Sequence, residues 1–414
     1  MIKRIFALSF VFLTGLSLSS QAQSTTTDVL LGQNTEVNTI TTAVPFLLIT
    51  PDSRGGAMGD AGVATSPDAN SMHYNPAKYA FIENDMGFSV SYSPWLSNLI
   101  DDIHLLYASY FQRFGKFQTV AGSLRYFSLG DITFTDIVGN TTGQFKPNEF
   151  ALDFAYSRLL TKNFSGAISL RYIHSNLTGG IFVEGIESRP GNAVSSDVAF
   201  FYQRDVDYFN YDGKLAFGIN LSNMGSKISY TANAQKDFLP ANLKLGGAYT
   251  MEIDDYNRFT FTVDLNKLLV PTPPYYNPDN TAIDADGNRE ILYGMNPNVS
   301  VVSGIFQSFY DAPGIIDGQI QVAREEFREI NYSFGAEYWY ANQFALRGGY
   351  FFEHPTKGNR QFFTLGLGMQ LNVFSLDFSY LMSPIARHPL ANTLRFTLGF
   401  NFENFQNTET PKNI

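Results

Sequence analysis

Residues 363–370 read Phe-Thr-Leu-Gly-Leu-Gly-Met-Gln, and this stretch shows the pattern that decides the fold. Its odd-numbered positions are large and apolar, whereas its even-numbered positions are glycine or polar. Side chains of a β-strand point alternately to opposite faces of the sheet. A period of two therefore predicts a strand with one bulky apolar face and one small, polar face.

The same alternation recurs along the chain from Met86 onward, where we place fourteen strands, the first over 86–93 and the last over 392–403. A soluble β-sandwich also alternates, but it buries its large side chains and exposes charged ones. Here the polar faces are rich in Gly, Ala, Ser and Thr, which suits a crowded barrel interior whose bulky residues face lipid. The sequence predicts an all-β membrane protein, a fourteen-stranded antiparallel transmembrane β-barrel.

The predicted connections alternate in length, and this supports the barrel independently. Those after even-numbered strands are tight turns, whereas those after odd-numbered strands are longer, and the longest is 268–330. Bacterial outer-membrane barrels have short periplasmic turns and longer extracellular loops. The pattern therefore favours a barrel of the cell outer membrane with both chain termini in the periplasm.

The first 22 residues have the features of a secretory signal peptide. Lys3 and Arg4 precede an apolar run that is too short for a membrane helix, and small residues place cleavage after Ala22. We expect a signal peptide over 1–22, an N-terminal periplasmic segment and lumenal hatch over 23–85, the barrel over 86–405 and a polar tail over 406–414.

Composition excludes some classes of partner. The formal net charge is −10, which argues against nucleic acid and against a basic membrane-binding face. Cysteine is absent, so burial, backbone pairing or a membrane must stabilise this exported chain without disulfides. The inward faces contain charges of both signs, which we interpret as a structural salt-bridge lattice in the lumen rather than a binding site. These residues are Arg125, Asp153, Arg171, Asp264, Glu337, Arg347, Asp377 and Arg395.

The segment before the first strand does not alternate and is rich in glycine. Residues 54–64 read Arg-Gly-Gly-Ala-Met-Gly-Asp-Ala-Gly-Val-Ala, and Asn-Pro-Ala follows at 75–77. The sequence disfavours a nucleotide-binding loop, because no buried strand precedes the glycines and no Gly-Lys-Ser/Thr follows them. Tightly turned backbone inside the barrel mouth explains the glycines better.

These two motifs resemble the N-terminal hatch of the FadL-type outer-membrane proteins, which are fourteen-stranded barrels with an Asn-Pro-Ala motif in the plug. The matching residues are Arg54, Gly55, Gly56, Gly59, Asn75, Pro76 and Ala77. Within that superfamily, Ser303 to Gly314 in the longest loop resembles the PorV (LptO) family of the type IX secretion system. The resemblance implies a carrier that binds exported proteins through their C-terminal signal domain at the translocon barrel. It then delivers them to a surface attachment complex with a sortase-like peptidase.

Two long loops contain apolar residues that suit docking of a partner. In loop 268–330 we select Ile305, Phe306 and Phe309, and we expect a helix over 319–330. Loop 128–147 reads as a hairpin with Ile132 and Phe134. The alternative is that loop 268–330 is a lid, in which case these residues would be buried against the barrel.

No residue pattern indicates catalysis, a cofactor or a metal. Asp284 begins a stretch like part of a calcium loop, but the closing glutamate is missing. The histidines lack metal-ligand spacing, and no nucleophile elbow occurs. We therefore predict a non-enzymatic carrier that contacts outer-membrane lipid. The alternative is a FadL-like transporter of hydrophobic small molecules such as fatty acids, and the small or charged inward residues mildly favour the carrier.

Overall fold

The computed structural model describes most of the chain from Asn38 to Phe402. The described residues are 38–96, 102–135, 138, 141–179, 182–183, 186–208, 211–231, 236–279, 282–284, 287–316, 319–320, 322–384 and 389–402. The predicted signal peptide, residues 23–37 and the polar tail lie outside these ranges.

Fourteen strands form a closed antiparallel barrel, which confirms the predicted fold class. In chain order they are β1 Met86–Pro94, β2 Ile103–Phe114, β3 Gln118–Leu129, β4 Asn148–Leu159, β5 Phe164–Asn176, β6 Gly191–Tyr208, β7 Tyr211–Gly225, β8 Asn242–Glu252, β9 Asn257–Leu268, β10 Ile330–Tyr340, β11 Phe344–Phe352, β12 Gln361–Leu371, β13 Phe374–Met382 and β14 Leu394–Phe402. Each strand pairs with the next, and β1 closes the ring against β14, where Met86 lies opposite Phe402.

The two faces of the wall differ as the alternation predicted. On β1, Phe88 and Tyr92 are exposed on the outside, whereas Ser89 and Ser91 are buried inside. A bulky apolar outer face and a small inner face are typical of a barrel that meets lipid outside and protein or water inside. None of the described helices has the length and apolar character that a membrane crossing requires.

The two ends of the barrel differ in the length of their connections. Short turns follow the even-numbered strands, and long loops follow β3, β7 and β9. The last strand ends on the short-turn side, where Asp85 donates its backbone N–H to the Phe402 carbonyl at 3.1 Å.

The described chain begins at the opposite end, among the long loops. Asn38 donates its backbone N–H to the Thr356 carbonyl at 2.9 Å, and Ala43 donates to the Phe238 carbonyl at 3.0 Å. Residues 38–49 therefore lie at the long-loop end, and the periplasmic location of the N-terminus stays a prediction. Strand parity fixes the ends of the barrel strands, but it does not constrain a segment that precedes β1.

The long loops contain their own secondary structure. Loop 128–147 is a hairpin of Ile132–Thr135 and Thr141–Phe145, as predicted. The predicted helix over 319–330 is wrong in extent, since a two-residue strand, Gln319–Ile320, precedes a helix over Val322–Arg328. Gln319 and Ile320 pair with Ile315–Ile316 as antiparallel strands. The first two residues of the predicted helix are therefore extended, and the helix begins after them.

Residues 38–85, which we call the lumenal segment, pack against the inward face of the wall. The segment contains two single-turn helices, α1 (Ser53–Gly56) and α2 (Ser71–Tyr74), and 3-10 turns over Pro45–Leu48 and Pro76–Phe81. From residue 51 to residue 80 nearly every residue is buried. Its contacts reach strands on opposite sides of the ring, from β4 and β5 to β13 and β14.

Candidate docking surface and lumenal segment

The glycine-rich motif folds tightly because its first turn is capped from within. Asp52 accepts a hydrogen bond from the Gly55 N–H at 3.0 Å and another from the Tyr74 hydroxyl at 2.8 Å. A side chain at Gly55 would overlap that hydroxyl, since an added Cβ would lie 1.9 Å from it. An added Cβ at Gly56 would lie 2.6 Å from a guanidinium nitrogen of Arg395. Gly59 has a φ of +67°, which favours glycine.

The Asn-Pro-Ala motif anchors the second half of the lumenal segment to the wall. The Asn75 side chain accepts from the Ala77 N–H at 3.0 Å and donates to the Phe200 carbonyl on β6, also at 3.0 Å. Pro76 begins the 3-10 turn, where its missing N–H costs nothing. The Ala77 carbonyl accepts from Ser165 on β5 at 2.7 Å. The motif therefore provides hydrogen-bond partners for backbone groups of its own turn and of the wall.

The inward charges do form a lattice, and much of it holds the lumenal segment. Arg54 donates to Glu337 and to Asp68, each at 2.9 Å, and Arg347 donates to Glu337 at 2.7 Å. A separate cluster joins Arg171 to Asp153 and Asp197 within the wall. We predicted the ion pairs, but not that Arg54 of the motif completes them.

Other inward charges bind backbone atoms of the segment rather than opposite charges. Asp264 accepts from the N–H groups of Gly62 and Val63, at 2.6 and 2.9 Å. Arg125 donates to the Leu47 carbonyl at 2.6 Å, and Lys244 donates to the His73 carbonyl at 3.0 Å. Buried polar backbone needs such partners, so the wall and the segment stabilise each other.

The second candidate site is on the long loop, where a helix and the turn after it expose apolar side chains. Ser300 is the N-cap of helix α3 (Val301–Gln307), and its hydroxyl accepts from the Ser303 N–H at 3.2 Å. We define the loop ridge as Val302, Phe306, Phe309 and Tyr310, whose exposed fractions are 65, 66, 48 and 56%. A lid would bury these residues, so their exposure favours a docking surface over the lid alternative.

A buried cluster of charges braces the loop beneath the ridge. Glu329 binds Lys267 at 2.7 Å and Lys357 at 3.1 Å, and it accepts from the Thr272 hydroxyl at 2.8 Å. Glu326 binds Lys267 at 2.8 Å, and Glu325 binds Lys357 at 3.0 Å. We call this cluster the brace. The cluster joins three separate parts of the chain, which fixes the loop on the barrel.

Asp311 connects the end of α3 to this braced region. It accepts from the Gln307 side chain at 3.2 Å and from the Thr272 N–H at 3.0 Å. Burial raises the pKa of Asp311 to about 6, although these hydrogen bonds favour the carboxylate. Because the pKa is higher in the folded loop than in an unfolded chain, protonation as the pH falls through 6 favours the folded loop.

The family model of the type IX secretion system protein PorV matches residues 32–275, more than half of the chain. The chain belongs to the PorV family. The matched region contains both hatch motifs and β1 to β9, whereas the loop ridge lies beyond it. No curated protein matches the chain.

Several solved structures match this PorV-family chain at low sequence identity. The toluene transporter TbuX of Ralstonia pickettii is 10% identical, with 85% of this chain and 98% of that chain covered and a TM-score of 0.43. The toluene transporter TodX of P. putida is 10% identical, with 85% and 99% covered and a TM-score of 0.46. A FadL homologue of Pseudomonas aeruginosa is 10% identical, with 89% and 100% covered and a TM-score of 0.40.

The structure does not bring all predicted docking residues together. Phe306 and Phe309 lie on the ridge, and Ile305 is half-buried behind it. Ile132 is exposed, but its hairpin follows β3, six strands away from the β9–β10 loop in a ring of fourteen. The side chain of Phe134 lies outside the described part of the chain.

Sequence reasoning on this PorV-family chain missed Tyr310 and the whole brace. The run Glu325-Glu326-Phe327-Arg328-Glu329 was a usable signal, because so many carboxylates on a short helix need cationic partners. Their partners Lys267 and Lys357 are distant in sequence, and nothing local indicates them.

A cavity of about 400 Å³ lies at the long-loop end, between the lumenal segment and the loops. Its apolar lining includes Leu48, Ile49, Trp95 and Phe362. Its charged lining includes Glu353 and Arg360, which bind each other at 2.8 Å. We call this cavity the vestibule.

A metal site finds no support within the described ranges, which contain no cluster of three or more potential ligands. Asp284 lies in a turn whose Oδ1 accepts from the Asn288 N–H at 2.8 Å. Residues 285–286 of the suspected calcium loop lie outside the described residues.

Proposed function

We propose that this chain is an outer-membrane carrier of the type IX secretion system. It binds exported proteins through their C-terminal signal domain at the translocon barrel and passes them to a surface attachment complex with a sortase-like peptidase. No bond is made or broken by the chain itself. Membership of the PorV family supports the secretion role.

The observation that supports docking is the exposed loop ridge on a rigid base. Four large side chains of α3 and the turn after it are exposed, and buried ion pairs fix the base of the loop. Interfaces concentrate their binding energy in aromatic residues held in place before binding. The ridge fits that description, whereas inward side chains such as Asp264 and Lys244 already bind the lumenal segment.

The test is a double variant, Val302→Ser with Phe306→Ser, in the tagged full-length protein. These residues lie one helical turn apart and are exposed, so the barrel should fold unchanged. We expect co-purifying cargo to fall at least tenfold, which corresponds to about 1.4 kcal/mol of binding free energy. Quantitative mass spectrometry of the material purified from native membranes measures the loss.

Phe117→Ser is the matched control, since Phe117 is exposed at 59% but lies in the turn at the opposite end of the barrel. It should leave the recovered cargo unchanged. If the ridge variant folds and still recovers cargo at the level of this control, the ridge is not the docking surface.

A second function has one observation in its favour, the vestibule. A mostly apolar cavity between loop and lumenal segment is where a transporter of hydrophobic small molecules would bind its ligand. In that case Ile49→Asp would abolish binding of a fatty-acid probe to the purified barrel and would leave recovery of cargo intact. Under the carrier proposal, Ile49→Asp leaves binding of the probe at the level of the wild-type protein, because the vestibule is then not a ligand site.

A further inference from the structure

A groove of about 570 Å³ lies outside the barrel, where the long loop meets the outward face of β8 and β9. Its wall side consists of Leu243, Leu245 and Leu265, and Leu245 lies directly opposite Leu265 in the strand register. Its loop side consists of Phe309 and Tyr310, which the groove shares with the loop ridge, together with one face of helix α4 (Val322–Arg328) and Ile330. The groove is therefore half barrel wall and half loop.

The lining of the groove offers no free charge. Its two charged residues, Lys267 and Glu326, bind each other at 2.8 Å. The rest of the lining is apolar except for Asn266 and the tyrosine hydroxyl. A charged or strongly polar ligand would lose its hydration here without a compensating partner. The chemistry selects a hydrocarbon.

The wall side continues a column of membrane-facing residues. On β9, Val263 and Phe261 are exposed on the same face as Leu265, one and two alternate positions further from the loop. Such a face meets the hydrocarbon of the bilayer. A hydrocarbon chain can therefore enter the groove directly from the bilayer. A water-soluble partner would have to leave the aqueous phase to reach it.

We propose that the groove holds an acyl chain of an outer-leaflet lipid. The volume is within the range of about 300–1,000 Å³ that small-molecule sites occupy. Because one side of the groove is helix α4, which also contains Glu325 and Glu326 of the brace, a bound chain would fix the base of the long loop from outside. This inference does not depend on which cargo the ridge binds.

Two exposed phenylalanines of the same loop provide a matched pair for the test. Phe327 lines the groove and is exposed at 67%, whereas Phe306 does not line it and is exposed at 66%. Neither should affect folding when changed to alanine. Ala323→Trp is a second variant, which fills the groove instead of opening it.

The probe is phosphatidylcholine with a photoactivatable acyl chain, added to nanodiscs of phosphatidylethanolamine and phosphatidylglycerol that contain the full-length protein. After irradiation, mass spectrometry locates the lipid adducts. Leu170, exposed at 58% on β5, reports ordinary lipid around the wall. We expect groove adducts to survive exchange into detergent before irradiation, whereas adducts at Leu170 should disappear.

F327A and A323W should each reduce the detergent-resistant adducts at least tenfold, whereas F306A should leave them unchanged. Groove adducts that vanish in detergent together with those at Leu170 would overturn the proposal. It would also be overturned if F327A reduced recovery of cargo but left the adducts intact, since the groove would then belong to a protein partner. If only F306A reduces the recovery of cargo, the result identifies the ridge as the docking surface and does not contradict the lipid site.

Discussion

At the residue scale, the molecule depends on how closely the lumenal segment approaches the wall. Gly349 of β11 faces inward, and a Cβ there would lie 2.1 Å from the backbone nitrogen of Gly59. Gly348, its neighbour, faces outward, and its added Cβ would make only ordinary van der Waals contacts, with the Leu365 side chain at 3.7 Å and the Thr364 carbonyl at 3.8 Å. Of these two adjacent positions, only 349 must be glycine, because the absence of a side chain there lets the backbone of Gly59 approach the wall.

We therefore expect Gly349→Ala to destabilise the protein and Gly348→Ala to leave it unchanged. Overpacking of a filled interior costs about 1–3 kcal/mol, and here the obstacle is backbone, which cannot move aside as a side chain can. Urea unfolding in detergent, followed by the fluorescence of Trp95 and Trp339, measures the free energy of unfolding. Equal stabilities of the two variants would contradict the close contact between Gly59 and β11.

At the scale of elements, the strands and the long loop were predictable to different degrees. The alternation is local, so β5 was placed over 164–176, as observed. Strands β6 and β7 extend beyond the predicted 194–204 and 213–222, because they continue to pair with each other where the apolar pattern ends. The fold of the long loop was less predictable, since Glu329 binds residues from β9 and from the β11–β12 loop. No periodicity encodes such contacts.

The brace leads to a prediction about the loop alone. Glu329→Gln removes one negative charge from two buried lysines, and breaking a buried ion pair typically costs about 3–5 kcal/mol. Because the cluster lies at the base of the loop, we expect local opening rather than loss of the barrel. Trypsin cleavage within 269–329 should accelerate on the order of 100-fold, the equivalent of about 2.8 kcal/mol.

Glu290→Gln is the control in the same loop, because the half-buried Glu290 carboxylate accepts from the neutral Asn277 side chain, at 2.6 Å, and Gln can accept the same bond. Its cleavage rate should match that of the wild-type protein. If Glu329→Gln is cut no faster than this control, the charge cluster does not hold the loop.

At the scale of the whole molecule, we propose that the lumenal segment occludes the barrel. The wild-type protein should then show no large, stable conductance in planar bilayers. Glu337→Gln removes the negative charge that Arg54 and Arg347 share. The lumenal segment should then leave the lumen intermittently, and channel openings in the bilayer recording should become more frequent. Lys146→Gln, which breaks an exposed pair with Asp131, should change nothing. A large steady conductance from the intact protein would refute occlusion.

Strand parity predicts a periplasmic N-terminus, whereas residues 38 and 43 bond to the long-loop end, and the direction of entry into the barrel has a direct test. The chain has no cysteine, so a single introduced thiol reports its own position. Thr39 is exposed, and its neighbour Asn38 bonds to the β11–β12 loop, whereas Lys116 is exposed in the turn between β2 and β3. If the long loops face the exterior, a membrane-impermeant maleimide should label Thr39→Cys on intact cells and should miss Lys116→Cys until the cells are lysed. Ser303→Cys, on the exposed side of α3, sets the rate expected for a surface site. Labelling of Thr39→Cys only after lysis, with Ser303→Cys labelled before it, would mean that the segment enters from the periplasm, as the parity of the strands alone had indicated.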